Sequence, residues 1–256
     1  MVANYHTHTV RCGHASGSER EYIERAIARG LKVLGFSDHT PYPFHHGDYY
    51  SSFRMRVEQT AEYFDTLRSL QREYAGQITL YMGCEAEYYP ACFDDLLRLL
   101  RGNGCQYLLL GQHFIRNEYD GVYSAVQTDD EAVLEQYARQ TTEALRTGCF
   151  TYFAHPDLVR YTGPDAIYER HMRPLCRVAR ELDIPLEINF LGISDHRHYP
   201  SRRFFALAAE EGCKCIFGCD AHNPDAVADP VTLATAQAFS DSLSLTVVDS
   251  VELKRL

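Results

Sequence analysis

The chain has 256 residues, 45% hydrophobic and 23% charged, with a formal net charge of -10. That length suits one large α/β unit, and the hydrophobic fraction supplies a full core, which excludes a disordered chain. The acidic balance excludes a binder that neutralises phosphates along a nucleic acid, and no stretch approaches the roughly 18 apolar residues of a membrane span.

Nine cysteines without framework spacing point to reduced thiols rather than disulfides. The N-terminus shows no basic region followed by an apolar core, so a soluble, cytoplasmic protein is expected. Cys213, Cys215 and Cys219 surround an apparent buried strand and are expected to pack in the core.

The first fourteen residues organise the rest of the chain. A strand from Val2 to His6 would run into His6-Thr7-His8, with His14 close behind. Residues i and i+2 of a strand share a face, so His6 and His8 would offer two imidazoles to one metal ion. Ser18 to Gly30 reads as a helix: Ser18 and Glu21 form a capping box, Gly30 stops it, and Tyr22, Ile23, Ala26 and Ile27 recur at helical spacing. The strand Lys32 to Phe36 then ends in Ser37-Asp38-His39.

Thr40 to Tyr50 reads as an exposed loop whose His45 and His46 are solvated and lie outside any site. Phe53 to Ala75 has the pattern of a long amphipathic helix, and the strand Ile78 to Met82 leads to Glu85. A helix at Cys92 to Leu100 and a strand at Tyr107 to Leu110 lead to His113. After a polar loop, Asn117 to Ser124, comes a helix from Asp129 to Thr147, with Asp129 near its N-cap and Gly148 as its stop.

The strand Thr151 to Phe153 delivers His155. A helix at Pro164 to Leu182, the strand Leu186 to Asn189, a loop at Phe190 to Pro200 and a helix at Ser201 to Glu211 precede the strand Cys215 to Phe217. Asp220 and His222 come after that strand. The tail adds a helix, Pro230 to Phe239, and a strand, Leu245 to Val248.

No repeat or linker divides the chain. About seven strand–helix units in succession predict a parallel barrel, in which chemistry gathers at the C-terminal ends of the strands. His6 and His8, His39, Glu85, His113, His155, and Asp220 with His222 all arrive at such ends. A lone HxH is weak evidence of a metal site, but six strands delivering metal-type side chains to one rim are hard to reconcile with packing.

Taken in order, HTHT with a following CGH, GFSDHTP, GCEAEY, GQHF, AHPDL, EIN and GCDAH span almost the whole chain. In these motifs the sequence resembles the polymerase and histidinol phosphatase (PHP) family, in its monofunctional histidinol-phosphate phosphatase branch. The resemblance implies a distorted seven-stranded (β/α) TIM-like barrel, one domain over residues 1–256, holding two to three divalent ions. It would assign His6, His8, Glu85 and Asp220 to one metal, with Glu85 as the bridge to a second held by His113 and His155. A third would take His14, His39 and His222. Imidazole and carboxylate ligands suit zinc, iron or manganese without choosing among them.

The implied reaction is hydrolysis of L-histidinol phosphate to L-histidinol and phosphate in histidine biosynthesis, by a metal-activated hydroxide. Arg160 and Arg197 resemble substrate-binding positions of the branch, and a guanidinium fork matches phosphate oxygens. Asp38 and Asp157 are candidates to orient neighbouring ligands or to cap turns. His196 or His198 is a candidate acid for the leaving alkoxide. Phe114, Tyr161 and Phe190 are candidates for the pocket wall.

Cys219, where many members carry a small residue, and the segment FLGIS at 190–194 depart from the usual text of the family and bear on pocket shape. The alternative enzyme is another PHP phosphoesterase, acting on a nucleotide or other small phosphate ester. A domain that binds metal without catalysis is a third reading, against which the complete ligand set argues.

Overall fold

Strands and helices alternate throughout the chain in a computed structural model that describes residues 1–47 and 49–256; Asp48, in the expected Thr40 to Tyr50 loop, lies outside the described residues. The chain opens with β1 (Ala3–Asn4), α1 (Glu19–Ala28), β2 (Val33–His39), α2 (Thr60–Glu73), β3 (Thr79–Ala86), α3 (Phe93–Asn103) and β4 (Tyr107–Leu110). A hairpin of β5 (Phe114–Ile115) and β6 (Val122–Tyr123) leads to α4 (Glu131–Arg146), β7 (Phe150–Phe153), α5 (Asp165–Glu181) and β8 (Leu186–Asn189). The chain closes with α6 (Phe190–Ser194), α7 (Arg202–Glu210), β9 (Lys214–Gly218), α8 (Pro230–Ser242) and β10 (Thr246–Val248).

Eight strands form one parallel sheet in the order β1-β2-β3-β4-β7-β8-β9-β10. The sheet curls back on itself at the rim. There Thr7 pairs with Ala221, His8 N–H donates to Ala221 O at 3.0 Å, and Ala221 N–H donates to His6 O at 3.3 Å. Seven strands thus make the expected distorted barrel. The eighth, β10, pairs with the lower part of β9, from Thr246 opposite Lys214 to Val248 opposite Ile216.

Strand alternation divides the core into two layers. Leu34 and Phe36, Leu80 and Met82, Leu108 and Leu110, and Leu186 and Ile188 face the surrounding helices. Ala3, Tyr5, Tyr107, Leu109, Tyr152 and Ile216 fill the barrel. The Tyr107 hydroxyl lies 2.7 Å from Tyr5 O and 3.0 Å from Phe36 O, which ties β4 across the interior to β2 and to the segment after β1. Val251 and Leu253 of the tail pack beneath this cluster, and Lys254 N–H donates to Thr151 Oγ1 at 3.2 Å. The base of the barrel is therefore plugged, and its open end is the rim.

Local chemistry explains where the elements depart from the sequence pattern. β1 is shorter than Val2 to His6 because the Asn4 side chain competes with the ladder. It accepts from His6 N at 3.3 Å and donates to His6 O and Thr7 Oγ1 at 3.2 and 2.8 Å. Ala3 and Tyr5 face inward, and this kink brings His6 and His8 inward as well. β2 and β3 run further than expected, through His39 and Glu85, so these residues are fixed by the ladder itself.

α2 begins at Thr60 rather than Phe53, because Arg54 is drawn into a buried ion-pair network that a helix there would not form. The N-cap of α4 is Asp130, which accepts from Ala132 N at 2.9 Å, rather than Asp129. Part of the expected loops at 117–124 and 190–200 is regular: β6 pairs with β5, and α6 forms after the Asn189 side chain accepts from Gly192 N at 2.8 Å.

Candidate metal centre

Each candidate ligand except His14, which follows a single helical turn at Val10–Cys12, sits at or just beyond a strand's C-terminal end, and the curl of the sheet brings them together above the tyrosine layer. Glu85, 1% exposed, lies at the centre. Its Oε1 is 2.7 Å from His155 Nε2 and 3.5 Å from His113 Nε2. Its Oε2 is 3.0 Å from His39 Nδ1, 3.5 Å from His6 Nε2 and 3.7 Å from His8 Nε2. One carboxylate therefore faces two separate sets of imidazoles. Asp220 Oδ1 lies 3.0 Å from His8 Nε2, 3.5 Å from His6 Nε2 and 3.4 Å from His222 Nδ1.

Space for these carboxylates comes from glycines. A Cβ at Gly111 would collide with the Glu85 carboxylate, and one at Gly218 with the carboxylate of Glu187.

Hydrogen bonds fix which nitrogen carries the proton in four of the rings. His6 Nδ1 donates to Glu187 Oε1 and His113 Nδ1 to Glu87 Oε1, both at 2.8 Å. His14 Nδ1 donates to Cys12 O, and His222 Nδ1 to Asp220 O, both at 3.0 Å. In the neutral rings every one of these Nε2 atoms presents a lone pair inward. The Nε2 atoms of His14 and His222 are 3.1 Å apart, lone pair against lone pair.

Two kinds of particle can relieve that opposition: protons on the rings, or cations between them. Burial and the charge of His8 hold His222 down to about 4, and the same two causes keep His39 well below the usual imidazole range. Burial also opposes charge on Glu85, yet His113, His6 and His39 hold it well below the usual carboxylate range. His8 is lifted to about 9, against burial, by Asp220 and Asp38.

His6 Nε2, both nitrogens of His8, His39 Nδ1, His155 Nδ1 and Glu85 Oε2 have no hydrogen-bond partner among the described residues. Buried polar atoms without partners are costly, so this set of donors fits divalent cations. The triads His14-His39-His222, His6-His8-Glu85, His6-His155-Asp220 and His39-Glu85-His113 each bring their ligand atoms within 4.8 Å of one another. His8, Cys12 and His222 form a further triad of this kind, whose thiol is pushed up to about 12 by burial and by Asp38.

A cavity of about 720 Å³ opens above the cluster, lined by His14, His39, His113, His155, Asp220 and His222 at its floor. Phe53, Phe114, Tyr123 and Tyr199 form aromatic walls; Phe53 stacks on Phe114 with ring centres 5.7 Å apart. Arg197 lines this cavity and donates from Nη1 to the Tyr199 hydroxyl at 3.0 Å.

Other candidate residues fall elsewhere. Arg160 is exposed and lines an adjoining cavity of about 340 Å³ together with His196 and His198, and Tyr123, Asp195, Arg197 and Tyr199 line both cavities. In the turn after α6, where His196 has a φ of 53°, Asp195, Arg197 and Tyr199 line the large cavity while His196 and His198 do not, and His198 Nε2 donates to Leu158 O at 2.8 Å. Phe190 packs against Phe217 in the core, and Tyr161 packs against Tyr168 and Arg203, so neither lines the cavity.

Asp38 lies 3.5 Å from His8 Nδ1 and accepts from Thr9 N at 3.2 Å and His39 N at 2.8 Å, which ties the end of β2 to the segment after β1. Asp157 accepts from Ser201 N at 2.6 Å and so braces the start of α7 rather than a ligand. His45 and His46 are outside the cluster, on Asp95 and Tyr119. Cys213, Cys215 and Cys219 are buried, and all nine cysteines are free thiols.

Sequence reasoning missed Glu87, Glu187 and Arg54. Glu187 accepts from His6 Nδ1, from His155 N at 2.9 Å and from Asn189 Nδ2 at 2.8 Å. Glu87 joins His113 to Arg54, which forks onto it at 3.0 and 3.1 Å and also pairs with Glu118. The available signal was the two-residue spacing that puts Glu87 on the face of Glu85, and Glu187 on the face of Asn189.

The PHP domain model matches residues 4–190; Asp220 and His222 lie beyond that stretch and are joined to the cluster by the fold. A probable histidinol-phosphatase of Deinococcus radiodurans is 30% identical over 237 residues, 88% of each chain. The histidinol-phosphatase of Bacillus subtilis is 30% identical over 153 residues, covering 52% of this chain and 56% of its own. The crystal structure of histidinol phosphate phosphatase from Lactococcus lactis, complexed with zinc, L-histidinol and phosphate, shares the fold with a TM-score of 0.74 at 18% identity, over 98% of this chain and 97% of that one. With the family model covering most of its length and a relative of that identity spanning nearly all of both chains, the chain belongs to the PHP domain family.

Proposed function

We propose that this protein is a metal-dependent phosphomonoesterase that hydrolyses L-histidinol phosphate to L-histidinol and inorganic phosphate, with residues 1–256 acting as one unit. The observation that carries the reading is the set of buried imidazole nitrogens of His6, His8 and His39, without hydrogen-bond partners, that surround Glu85 Oε2 at the floor of the cavity. The likeness to curated histidinol-phosphatases supports the choice of substrate.

Two to three divalent ions, zinc, iron or manganese, would be held by His6, His8, Glu85 and Asp220, by Glu85, His113 and His155, and by His14, His39 and His222. Bound there, such ions supply positive charge toward phosphoryl oxygens and make water more acidic. Glu187 and Glu87 hold the rings of His6 and His113 in the tautomer that leaves Nε2 free. Arg197, steadied by the Tyr199 hydroxyl, offers its fork to the phosphate. The aromatic walls receive the flat imidazole of the alcohol portion. In the net reaction the oxygen of water joins phosphorus, the bond from phosphorus to the ester oxygen breaks, and the departing alcohol takes a proton.

The test is phosphate release from L-histidinol phosphate beside a panel of other phosphomonoesters and a diester, with protein of known metal content. Preference for histidinol phosphate, lost on chelation and restored by a divalent metal, is the expected result. Faster turnover of other esters would move the substrate elsewhere, and no turnover by metal-replete protein would overturn the catalytic reading.

A further inference from the structure

Among the described residues, the lining of the large cavity contains two carboxylates, Asp195 and Asp220. Asp220 is spoken for: Oδ1 faces three imidazoles, and Oδ2 accepts from Asn189 Nδ2 at 3.1 Å. Asp195 is not part of that cluster. Its Oδ2 accepts from Arg197 Nη2 at 2.8 Å and Nε at 3.2 Å, and its side chain is 47% exposed toward the mouth. A guanidinium and a carboxylate therefore stand side by side on one wall, above a floor built to receive phosphate.

That pairing of charges has a chemical complement. In a phosphate monoester of a 2-amino alcohol, two carbons separate the ester oxygen from an ammonium group, so the anion and the cation of the substrate are also neighbours. We infer that Asp195 is a specificity-determining residue, whose carboxylate receives the substrate's ammonium while Arg197 receives its phosphate. The inference rests on the proposed function and deepens it: the site selects amino-alcohol phosphates over otherwise identical esters that lack the amine.

The geometry gives each partner a reason to be where it is. Arg197 holds one carboxylate oxygen of Asp195 and leaves the other for a donor on the ligand. Asp195 sits at the C-terminal cap of α6, whose start is pinned by Asn189, so the carboxylate is carried on an anchored element. Among the described residues, no lining side chain other than Asp195 and Asp220 carries a negative charge that could serve the ammonium instead.

The experiment compares kcat/KM for L-histidinol phosphate with that for the same ester with hydrogen in place of the amine, in wild type, Asp195→Asn and Asp195→Glu, with metal content and melting temperature checked for each. Wild type should favour the aminated ester. In Asp195→Asn that preference should fall by about tenfold or more, the scale of one charge-assisted hydrogen bond, with partial recovery in Asp195→Glu. Calorimetric binding of L-histidinol to enzyme saturated with inorganic phosphate should weaken in step.

An unchanged ratio in a folded, metal-replete Asp195→Asn protein would overturn the inference while leaving histidinol phosphate as substrate. Failure of wild type to hydrolyse histidinol phosphate would instead overturn the proposed function. Preference of wild type for other 2-amino alcohol phosphates, lost in Asp195→Asn, would uphold the role of Asp195 without that substrate.

Discussion

At the scale of single residues, the centre depends on Glu85 offering different oxygens to different imidazoles. Glu85→Gln replaces one of those oxygens by an NH2 group that cannot ligate a cation. The expected outcome is a loss of roughly 100-fold or more in kcat, at the top of or beyond the 10–100-fold range typical of groups that only orient a ligand. Metal content measured by atomic spectroscopy should fall with it. Near-normal turnover with full metal content would remove Glu85 from the bridging position. Arg197 touches no member of the imidazole cluster, so Arg197→Ala should leave metal content unchanged and lower kcat/KM by about 10- to 100-fold through lost phosphate contacts. Equal kcat/KM in the two proteins would take Arg197 out of the phosphate site.

At the scale of elements, the rim is held by links between segments distant in sequence, and Arg54 is the densest of them. Its guanidinium joins the segment before α2 to Glu87 after β3 and to Glu118 in the β5–β6 hairpin, donates to Thr40 O at 3.1 Å, and lies 4.5 Å over the Phe53 ring. Arg54→Met leaves two buried carboxylates without their counter-charge, and the cost of breaking such a pair is about 3–5 kcal/mol. Urea denaturation should read that loss, and Arg54→Lys should recover little of it, because an ammonium cannot fork onto both carboxylates. Stability within about 1 kcal/mol of wild type in Arg54→Met would show that the pair is neutral.

The same elements show what the sequence could disclose. Strand ends were legible because a parallel barrel repeats one rule: an apolar run, then a polar side chain at the rim. β4 and β8 have the expected limits for that reason. The start of α2 was not legible, since Phe53 to Gln59 has an apolar pattern compatible with a helix while its contacts with Glu87, Glu118 and the cavity are tertiary. α6 was hidden by Gly192, a residue that weakens a helix in isolation but here sits against Tyr199, where a side chain would collide. The direction of His196 and His198 depended on how the loop after α6 leaves its helix, which no periodicity encodes.

At the scale of the molecule, removal of the ions should be felt as lost stability, because folding buries the carboxylates and imidazoles that the ions would satisfy. A ligand at 100 times its Kd stabilises by about 2.7 kcal/mol, and 1 kcal/mol moves the melting temperature of a chain this size by about 2–4 °C. Chelation should therefore lower Tm by roughly 5–10 °C for each ion held at that level, reversed by adding metal back. An unchanged Tm in protein shown to have lost its metal would mean that the cluster is stable without cations. Among the described residues no helix is long and apolar enough to cross a membrane.

The plugged base of the barrel has a kinetic consequence. Tyr5, Tyr107 and Tyr152, with the tail beneath them, close the base, so the cavity opens at the rim. Under the proposed reaction, phosphate is the product on the floor and the amino alcohol is the product nearer the mouth. The alcohol then departs first and phosphate second, so free enzyme is the form that phosphate captures. Accumulated phosphate would compete directly with substrate, and accumulated alcohol would not, which makes the cell's phosphate level the product signal this enzyme senses most directly.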